Sequence, residues 1–455
     1  MLSYPLSTVK VFNSIFTQLY TPYPIMYAIS KLSLKRLILY QAPRGTYDIL
    51  PADQEYWQFV KSSIIDICRF YGYQKIDTPV FENAGLFVRS IGEETDIVEK
   101  EMYTFEDRGG EMMTLRPEGT ASICRAYLEH GMHNLTQPVK LYYITQIFRY
   151  ERPQAGRFRQ HWQFGFEAIG DADPALDAEV IDMAWSLYSK LGLRDLVLKL
   201  NSIGCRNCRP QYLKTLREYY TDKIDRLCPD CKRRAERNTL RLLDCKNEAC
   251  IPIAEQAPKS FDCLCTECSD HFDSLKKYLS ILGLNFDVDH RLVRGLDYYT
   301  KTVFEIQPPG AKGAQSTIGG GGRYDDLIEE LGGKAVSAVG FATGFERTIL
   351  NLKSQDITIP AVANPSTFVA FLGQRAKDKA VEYVTQIRRE GMSAILASGN
   401  RSLKAQMRQA NALSANNTII IGEDELKDGV VMLRDMSGGE QQRLAFEEVL
   451  NRLRG

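Results

Sequence analysis

Histidine and tryptophan are scarce in this chain, with five and three copies among 455 residues. No apolar run approaches the ~18 residues that a membrane-spanning helix needs, so no membrane partner is expected. Net charge is also missing. Lys+Arg and Asp+Glu both total 57, so no overall field marks a nucleic-acid surface, although a local basic stripe is compatible with a neutral whole. None of His130, His133, His161, His271 and His290 belongs to an H-E-x-x-H pair. No G-x-S-x-G elbow occurs, so a hydrolase triad has no anchor. Gly319-Gly320-Gly321-Gly322-Arg323 invites a phosphate-loop reading, yet no Gly-Lys-Ser/Thr follows and no G-x-G-x-x-G register fits. Met436-Ser437-Gly438-Gly439-Glu440-Gln441-Gln442-Arg443 imitates an ABC-transporter ATPase signature without the Walker A loop that signature needs, and reads as a turn opening the final helix.

What is present is ordinary globular composition, with 44% hydrophobic and 25% charged residues. At about 150 residues per domain the length suits about three domains. Residues 1–47 contain no Asp or Glu but several Ser and Thr and five basic residues (Lys10, Lys31, Lys35, Arg36 and Arg44), the composition of an organelle transit peptide. Pro5, Pro22 and Pro24 break its apolar stretches, which argues against a secretory signal. Met26 offers a later start, so residues 1–40 are set aside as a leader of uncertain status. A cytoplasmic location is expected, with an organelle as the alternative if that leader is a transit peptide.

Of the eleven cysteines, Cys68 and Cys124 stand alone in helix-like segments and read as small buried hydrophobes. The other nine crowd into residues 205–268 as Cys205-x2-Cys208, Cys228-x2-Cys231, Cys245-x4-Cys250 and Cys263-x-Cys265-x2-Cys268. Two C-x2-C pairs about 30 residues apart can complete a tetrahedral zinc site. Reduced thiols that merely pack are the other reading, and the spacing leaves both open.

Residues 51–72 read as an amphipathic helix opened by a proline and closed by glycine. A strand is expected at 73–78, and a helix over Thr120–Glu129 with Thr120 as its N-cap. Long strands follow at 140–150 and 158–169, joined by a loop at 151–157. The charged, cysteine-rich stretch 205–270 reads as a helical insertion. Strand patterns resume at 303–306 and 316–318, before a glycine-rich turn into a helix. Residues 352–366, with Pro360 and Pro365, mark a linker. Beyond it, strands at 368–372, 394–397, 418–421 and 430–433 alternate with helices near 376–390, 401–411 and 440–453, a small α/β domain.

Period-two alternation over residues 158–168 sends Trp162, Phe164 and Phe166 to one face. Arg159, His161, Gln163, Gly165 and Glu167 fall on the other, a row that suits the floor of a site, with Gly165 leaving room for a ligand. Arg149, Arg152, Arg157, Arg294, Arg323 and Arg347 sit at strand ends or beside glycine-rich and aromatic turns. There the planar guanidinium can grip phosphate oxygens at two points.

Phe148-Arg149-Tyr150-Glu151-Arg152-Pro153, followed by Arg157, Gln163 and Glu167, resembles motif 2 of class II aminoacyl-tRNA synthetases. Gly340-Phe341-Ala342-Thr343-Gly344-Phe345-Glu346-Arg347 resembles motif 3, and residues 73–81 with Pro79 resemble the dimer-forming motif 1. Leu292-Val293-Arg294-Gly295-Leu296-Asp297-Tyr298-Tyr299 and Gly320-Gly321-Gly322-Arg323-Tyr324 are similar to the two histidine-specific motifs of the histidyl-tRNA synthetase family. Arg44-Gly45-Thr46-Tyr47-Asp48, Ile91-Gly92-Glu93 and Thr114-Leu115-Arg116-Pro117-Glu118-Gly119-Thr120 match that family too. The resemblance runs from about Arg44 to the C-terminus.

It implies an α+β catalytic domain on a mostly antiparallel sheet over 41–351, carrying the 205–270 insertion. A linker at 352–366 and a C-terminal α/β anticodon-binding domain at 367–455 complete the expected organisation. The implied reaction is ligation of histidine to tRNA(His) with ATP and Mg²⁺, through a histidyl-adenylate, by a homodimer. Glu118, Thr120 and Gln163 are implied to hold the histidine ammonium, Glu167 and Tyr299 to read the imidazole, and Tyr324 to line that pocket. Arg149 and Arg294 are implied to be catalytic at the α-phosphate, Arg294 supplying charge that other class II enzymes leave to metal. Arg347 is implied at the γ-phosphate, and Arg157 with Gln154 at the acceptor end as well as near ATP. Zinc in the insertion is left uncommitted, because many members of the family do without it. Arg401, Lys404 and Arg408, three and four residues apart, offer a basic face that can meet tRNA phosphates. The non-catalytic paralogue that regulates ATP phosphoribosyltransferase is the strongest rival; the retained arginines and the C-terminal domain speak against it.

Overall fold

A computed structural model describes residues 40–454 except Glu94, Ala155 and the segments 311–316 and 361–366. All of the leader but Tyr40, and the last part of the expected linker, lie outside the described residues. The first helix shows how sequence becomes packing. In Gln54–Phe70 the buried positions are Val60, Ser63, Ile64, Ile67 and Cys68, spaced three and one residue apart into a single stripe. Pro51 opens the turn before it, and Gly72, at φ 75°, lets the chain leave it.

That stripe packs on an eight-stranded sheet. Its order is Gln74–Lys75, Val139–Phe148, Gln160–Ile169, Ala338–Gly344, Gly319–Arg323, Thr300–Gln307, Val197–Ser202 and Phe286–Val288. The two edge pairings are parallel and the five between them antiparallel, as expected from strands joined through loops. Alternation divides each strand between two cores. Tyr142 and Ile144, with Phe164, Phe166, Phe304 and Phe341, face the helices Gln54–Phe70, Pro174–Lys190, Thr266–Ile281 and Phe345–Ser354. Leu141 and Tyr143 face the other way, toward the helix Thr120–Glu129 and the insertion. The insertion is helical as expected, with Arg209–Thr221 and Pro229–Arg237 before the long Thr266–Ile281 helix.

One expectation fails at the centre of the sheet. The glycine run is not a turn: Gly319–Arg323 is a fully buried strand paired on both sides. Its neighbours demand glycine, since a Cβ at Gly321 would lie 1.9 Å from the Gly340 carbonyl oxygen. The strand at 73–78 also shrinks to Gln74–Lys75, ahead of Pro79.

The C-terminal sheet has the order Ala394–Leu396, Thr367–Phe371, Asn417–Ile421, Val431–Asp435 and Gln441–Leu444. The first two pairings are parallel and the last two antiparallel. Its core has its own members, among them Phe368, Phe371, Val384, Ile387 and Val449. The stretch 440–453 splits into the Gln441–Leu444 strand and the Phe446–Arg454 helix. Ser437 therefore closes a hairpin through Asp435, its amide 2.8 Å from Oδ1, rather than opening a helix.

Candidate active site

The strand Gln160–Ile169 supplies the floor of a cavity of about 1210 Å³, larger than the ~300–1,000 Å³ of ordinary single-ligand sites. Glu167 is 1% exposed. The Thr120 hydroxyl donates to its Oε1 at 2.8 Å and the Tyr324 hydroxyl to its Oε2 at 2.5 Å. Burial pushes this carboxyl up to about 8; the two donors oppose the rise and the neighbouring Glu118 charge adds to it. The facing strand yields space, because a Cβ at Gly340 would stand 1.7 Å from Glu167 Oε2. The room over Gly165 does not await a ligand. The Tyr143 ring fills it, 2.3 Å from where a Cβ would be, and its hydroxyl donates to Gln163 Oε1 at 3.3 Å.

Glu118, also buried, caps the helix Thr120–Glu129. It accepts from the Thr120 amide at 2.6 Å and the Ala121 amide at 2.7 Å, two donors that the helix itself leaves unpaired. Thr120 is thus the first helical residue and not the cap, the N-cap position falling on Gly119. With Glu118 capping, the Thr120 hydroxyl is free to reach Glu167. Burial raises the Glu118 carboxyl above the usual range, against those two amide bonds.

The same cavity also has a cationic wall. Arg149 donates from Nε to the Pro117 carbonyl at 2.7 Å, and Arg347 from Nη1 to the Thr317 carbonyl at 2.9 Å. Arg157 pairs with Glu151 at 3.2 Å, and Arg294 with Glu305 at 2.5 Å. The Nε groups of Arg157 and Arg294 are buried without a hydrogen-bond partner among the described residues. Burial and the neighbouring Arg157 depress the Arg347 guanidinium, while burial and Arg149 push the His161 imidazole down to about 3. This wall has donors to spare for an anion.

Glu118, Thr120, Arg149, Arg157, Gln163, Glu167, Arg294, Tyr299, Tyr324 and Arg347, all singled out from sequence, line this one cavity. Arg323 does not belong with them. It is fully buried and bonded to Asp177 through Nε, at 3.0 Å to Oδ2, and Nη2. Its position at the end of the glycine run made it look like a phosphate ligand, but its guanidinium is taken up by Asp177, distant in sequence, and by Asp325 at 3.3 Å. Sequence reasoning passed over Tyr143, Tyr298, Glu305 and Thr317, which also line the cavity. Glu305 had one available signal, its alternation along Thr300–Gln307; the register that sets it opposite Gly320 is a property of the fold.

Eight of the nine clustered cysteines gather into two groups, Cys205/Cys208/Cys265/Cys268 and Cys228/Cys231/Cys245/Cys250. Cys205/Cys208 meets Cys265/Cys268, passing over the pair that follows it in sequence. Cys68 and Cys124 are fully buried, as small hydrophobes.

The sequence profile described as histidyl-tRNA synthetase matches residues 45–348, and that of an anticodon binding domain matches residues 366–455. The histidine–tRNA ligase of Dehalococcoides mccartyi strain 195 is 58% identical over 412 residues, 90% of this chain and 98% of that protein. The histidine–tRNA ligase of Pelotomaculum thermopropionicum is 51% identical over 412 residues, 90% of this chain and 97% of its own length. The crystal structure of apo S. aureus histidyl-tRNA synthetase superposes with a TM-score of 0.78 at 36% identity, covering 92% of this chain and all of that one.

Proposed function

The chain belongs to the histidyl-tRNA synthetase family, and on that premise we propose which of its side chains carry the reaction. It ligates histidine to tRNA(His) with ATP through a histidyl-adenylate, releasing AMP and pyrophosphate. Glu167 and Tyr299 take the imidazole nitrogens, with Tyr324 orienting the Glu167 carboxyl. Glu118, Thr120 and Gln163 hold the α-ammonium. A side chain without ring nitrogens would leave the buried Glu167 without its partner, the kind of loss that discriminates strongly.

Arg149 and Arg294 flank the α-phosphate. A histidine carboxylate oxygen attacks phosphorus, the bond to the bridging oxygen breaks, and pyrophosphate departs against Arg347 and Arg157. The two guanidiniums at the α-phosphate stabilise the charge that builds on its oxygens. A terminal adenosine hydroxyl of the tRNA then attacks the adenylate carbonyl, AMP leaves, and Gln154 with Arg157 steadies the acceptor end. Mg²⁺ fits the phosphate side. There Glu151 and Glu305 line the cavity, and Glu151 Oε2, ion-paired with Arg157, is buried without a hydrogen bond among the described residues. Bound there, the ion would neutralise charge on the departing pyrophosphate. Arg401, Lys404 and Arg408 meet the tRNA backbone in the C-terminal domain, and residues around 73–81 join two copies into a homodimer. A cytoplasmic location belongs to the same reading; no helix among the described residues is long and apolar enough to cross a membrane.

The observation that carries this assignment is the coexistence, in one cavity, of a buried carboxyl held by two hydroxyls and two arginines whose buried Nε donors have no partner among the described residues. Its test is histidine-dependent ATP–pyrophosphate exchange, followed by charging of histidine tRNA. Wild-type protein is expected to do both, and Arg294→Ala to lose roughly 10²–10³-fold in exchange. Histidine binding without exchange in the wild type would overturn the assignment.

A further inference from the structure

The insertion's cysteines have a geometry that packing alone does not explain. In one group Cys205 Sγ lies 3.8 Å from Cys208 Sγ and 3.9 Å from Cys265 Sγ, and Cys208 Sγ lies 3.8 Å from Cys268 Sγ. In the other, Cys228 Sγ lies 3.8 Å from Cys245 Sγ. Within each group all four sulfurs fall within 4.8 Å of one another. Four thiolates around zinc at ~2.3 Å stand at tetrahedral corners, and the edge of that tetrahedron is ~3.8 Å. The spacing is far beyond the ~2.05 Å of a disulfide. Backbone amides also point at sulfur, as they do around metal thiolates: Cys205 N–H to Cys208 Sγ at 3.3 Å, Cys228 N–H to Cys250 Sγ at 3.3 Å and Asn247 N–H to Cys245 Sγ at 3.5 Å.

We propose that the insertion holds two structural zinc ions, one on Cys205, Cys208, Cys265 and Cys268, the other on Cys228, Cys231, Cys245 and Cys250. Each site is closed by four protein ligands, which leaves no open position for chemistry. Cys263, only two residues from Cys265, belongs to neither group. The first site clasps the insertion where it leaves the strand Val197–Ser202 and where it returns through the helix Thr266–Ile281. That clasp touches the histidine pocket. Arg209, beside Cys208, donates to the carbonyls of Gly204 and Tyr299, and the Lys301 amide donates to the Gly204 carbonyl at 2.9 Å. The second site forms part of the active-site wall, where Cys228 and Cys245 line the cavity beside Arg234, Arg241 and Asp244. Zinc here would hold the front wall of the pocket in a subdomain too small to rely on its apolar core.

The test is the metal content of the full-length protein, purified without chelator and analysed by inductively coupled plasma mass spectrometry. Two zinc ions per chain are expected, released by titration of eight thiols with a mercurial. Cys245→Ser and Cys265→Ser should each bring the content from two to one, and Cys263→Ser should keep both. X-ray absorption at the zinc edge of the wild type, which needs no variant to fold, should give four sulfur neighbours at ~2.3 Å. Fewer than two zinc ions, iron in their place, nitrogen or oxygen neighbours, or an unchanged content in either ligand variant would overturn the assignment.

Discussion

Glu167 sits between opposed forces: burial disfavours its charge, and the hydroxyls of Thr120 and Tyr324 favour it. Burial wins, so the folded-state pKa of about 8 stands above the ordinary 4.5. Its contribution to stability is then present below pH 4.5 and lost as pH rises through about 8. Urea titrations of wild type and Glu167→Gln across that window should show the wild type losing stability relative to the variant as pH rises. Histidine-dependent exchange by the same variant should fall by roughly 10²-fold or more. Asp177 carries the opposite sign. Arg323 and His271 hold its pKa down to about 2 against the cost of burial, below the ordinary 3.8, so its contribution is present above pH 3.8 and lost as pH falls through about 2. Asp177→Ala removes the main carboxylate of the fully buried Arg323, leaving it Asp325 at 3.3 Å and the Asp171 and Asp173 carbonyls, and should cost about 1–3 kcal/mol in urea unfolding at neutral pH. Glu167 and Gln163 were legible because alternation alone put them on the polar side of a strand. Arg323 was not: Asp325 lies two residues on, but the main carboxylate that holds the guanidinium, Asp177, is 146 residues away and only the fold brings them together.

Among the elements, the glycine-rich strand was the least legible. Four consecutive glycines carry no apolar period, so they read as a turn; what makes them a strand is the closeness of Gly340 and Phe341 on one side and Phe304 on the other. Gly321→Ala would drive a Cβ into backbone and should destabilise the protein by ~1–3 kcal/mol or more, read as a fall in the urea midpoint. Gly340→Ala meets the Glu167 carboxyl first, with the Phe166 carbonyl oxygen farther off at 2.9 Å. It should displace Glu167 and raise the KM for histidine in exchange assays more than it lowers stability. The Gln441–Leu444 strand was missed for a simpler reason: an exposed outer strand needs no apolar alternation. Helix Gln54–Phe70, by contrast, advertises itself through its buried stripe and its terminal Pro and Gly.

Taken whole, the molecule divides its apolar interior. The large sheet has a core on each face, and residues beyond 366 build one of their own. Adenylate chemistry and tRNA contact are then separable by mutation. Lys404 and Arg408 are exposed on the helix Leu403–Ala412. Replacing both by alanine should weaken tRNA charging and flatten its salt dependence by about two counterions while leaving pyrophosphate exchange intact. That a large sheet is followed by a separate C-terminal one was legible, because motif order and the change of strand pattern beyond residue 366 are both written in the sequence. Which cysteine meets which was not, because that pairing is set by how the insertion folds back on itself. The most direct measurement is a structure of the protein bound to a non-hydrolysable sulfamoyl analogue of histidyl-adenylate. The imidazole should lie within hydrogen-bond distance of Glu167, and the sulfamoyl group between Arg149 and Arg294. An analogue bound with its imidazole elsewhere, or with neither arginine near the sulfamoyl group, would contradict the account.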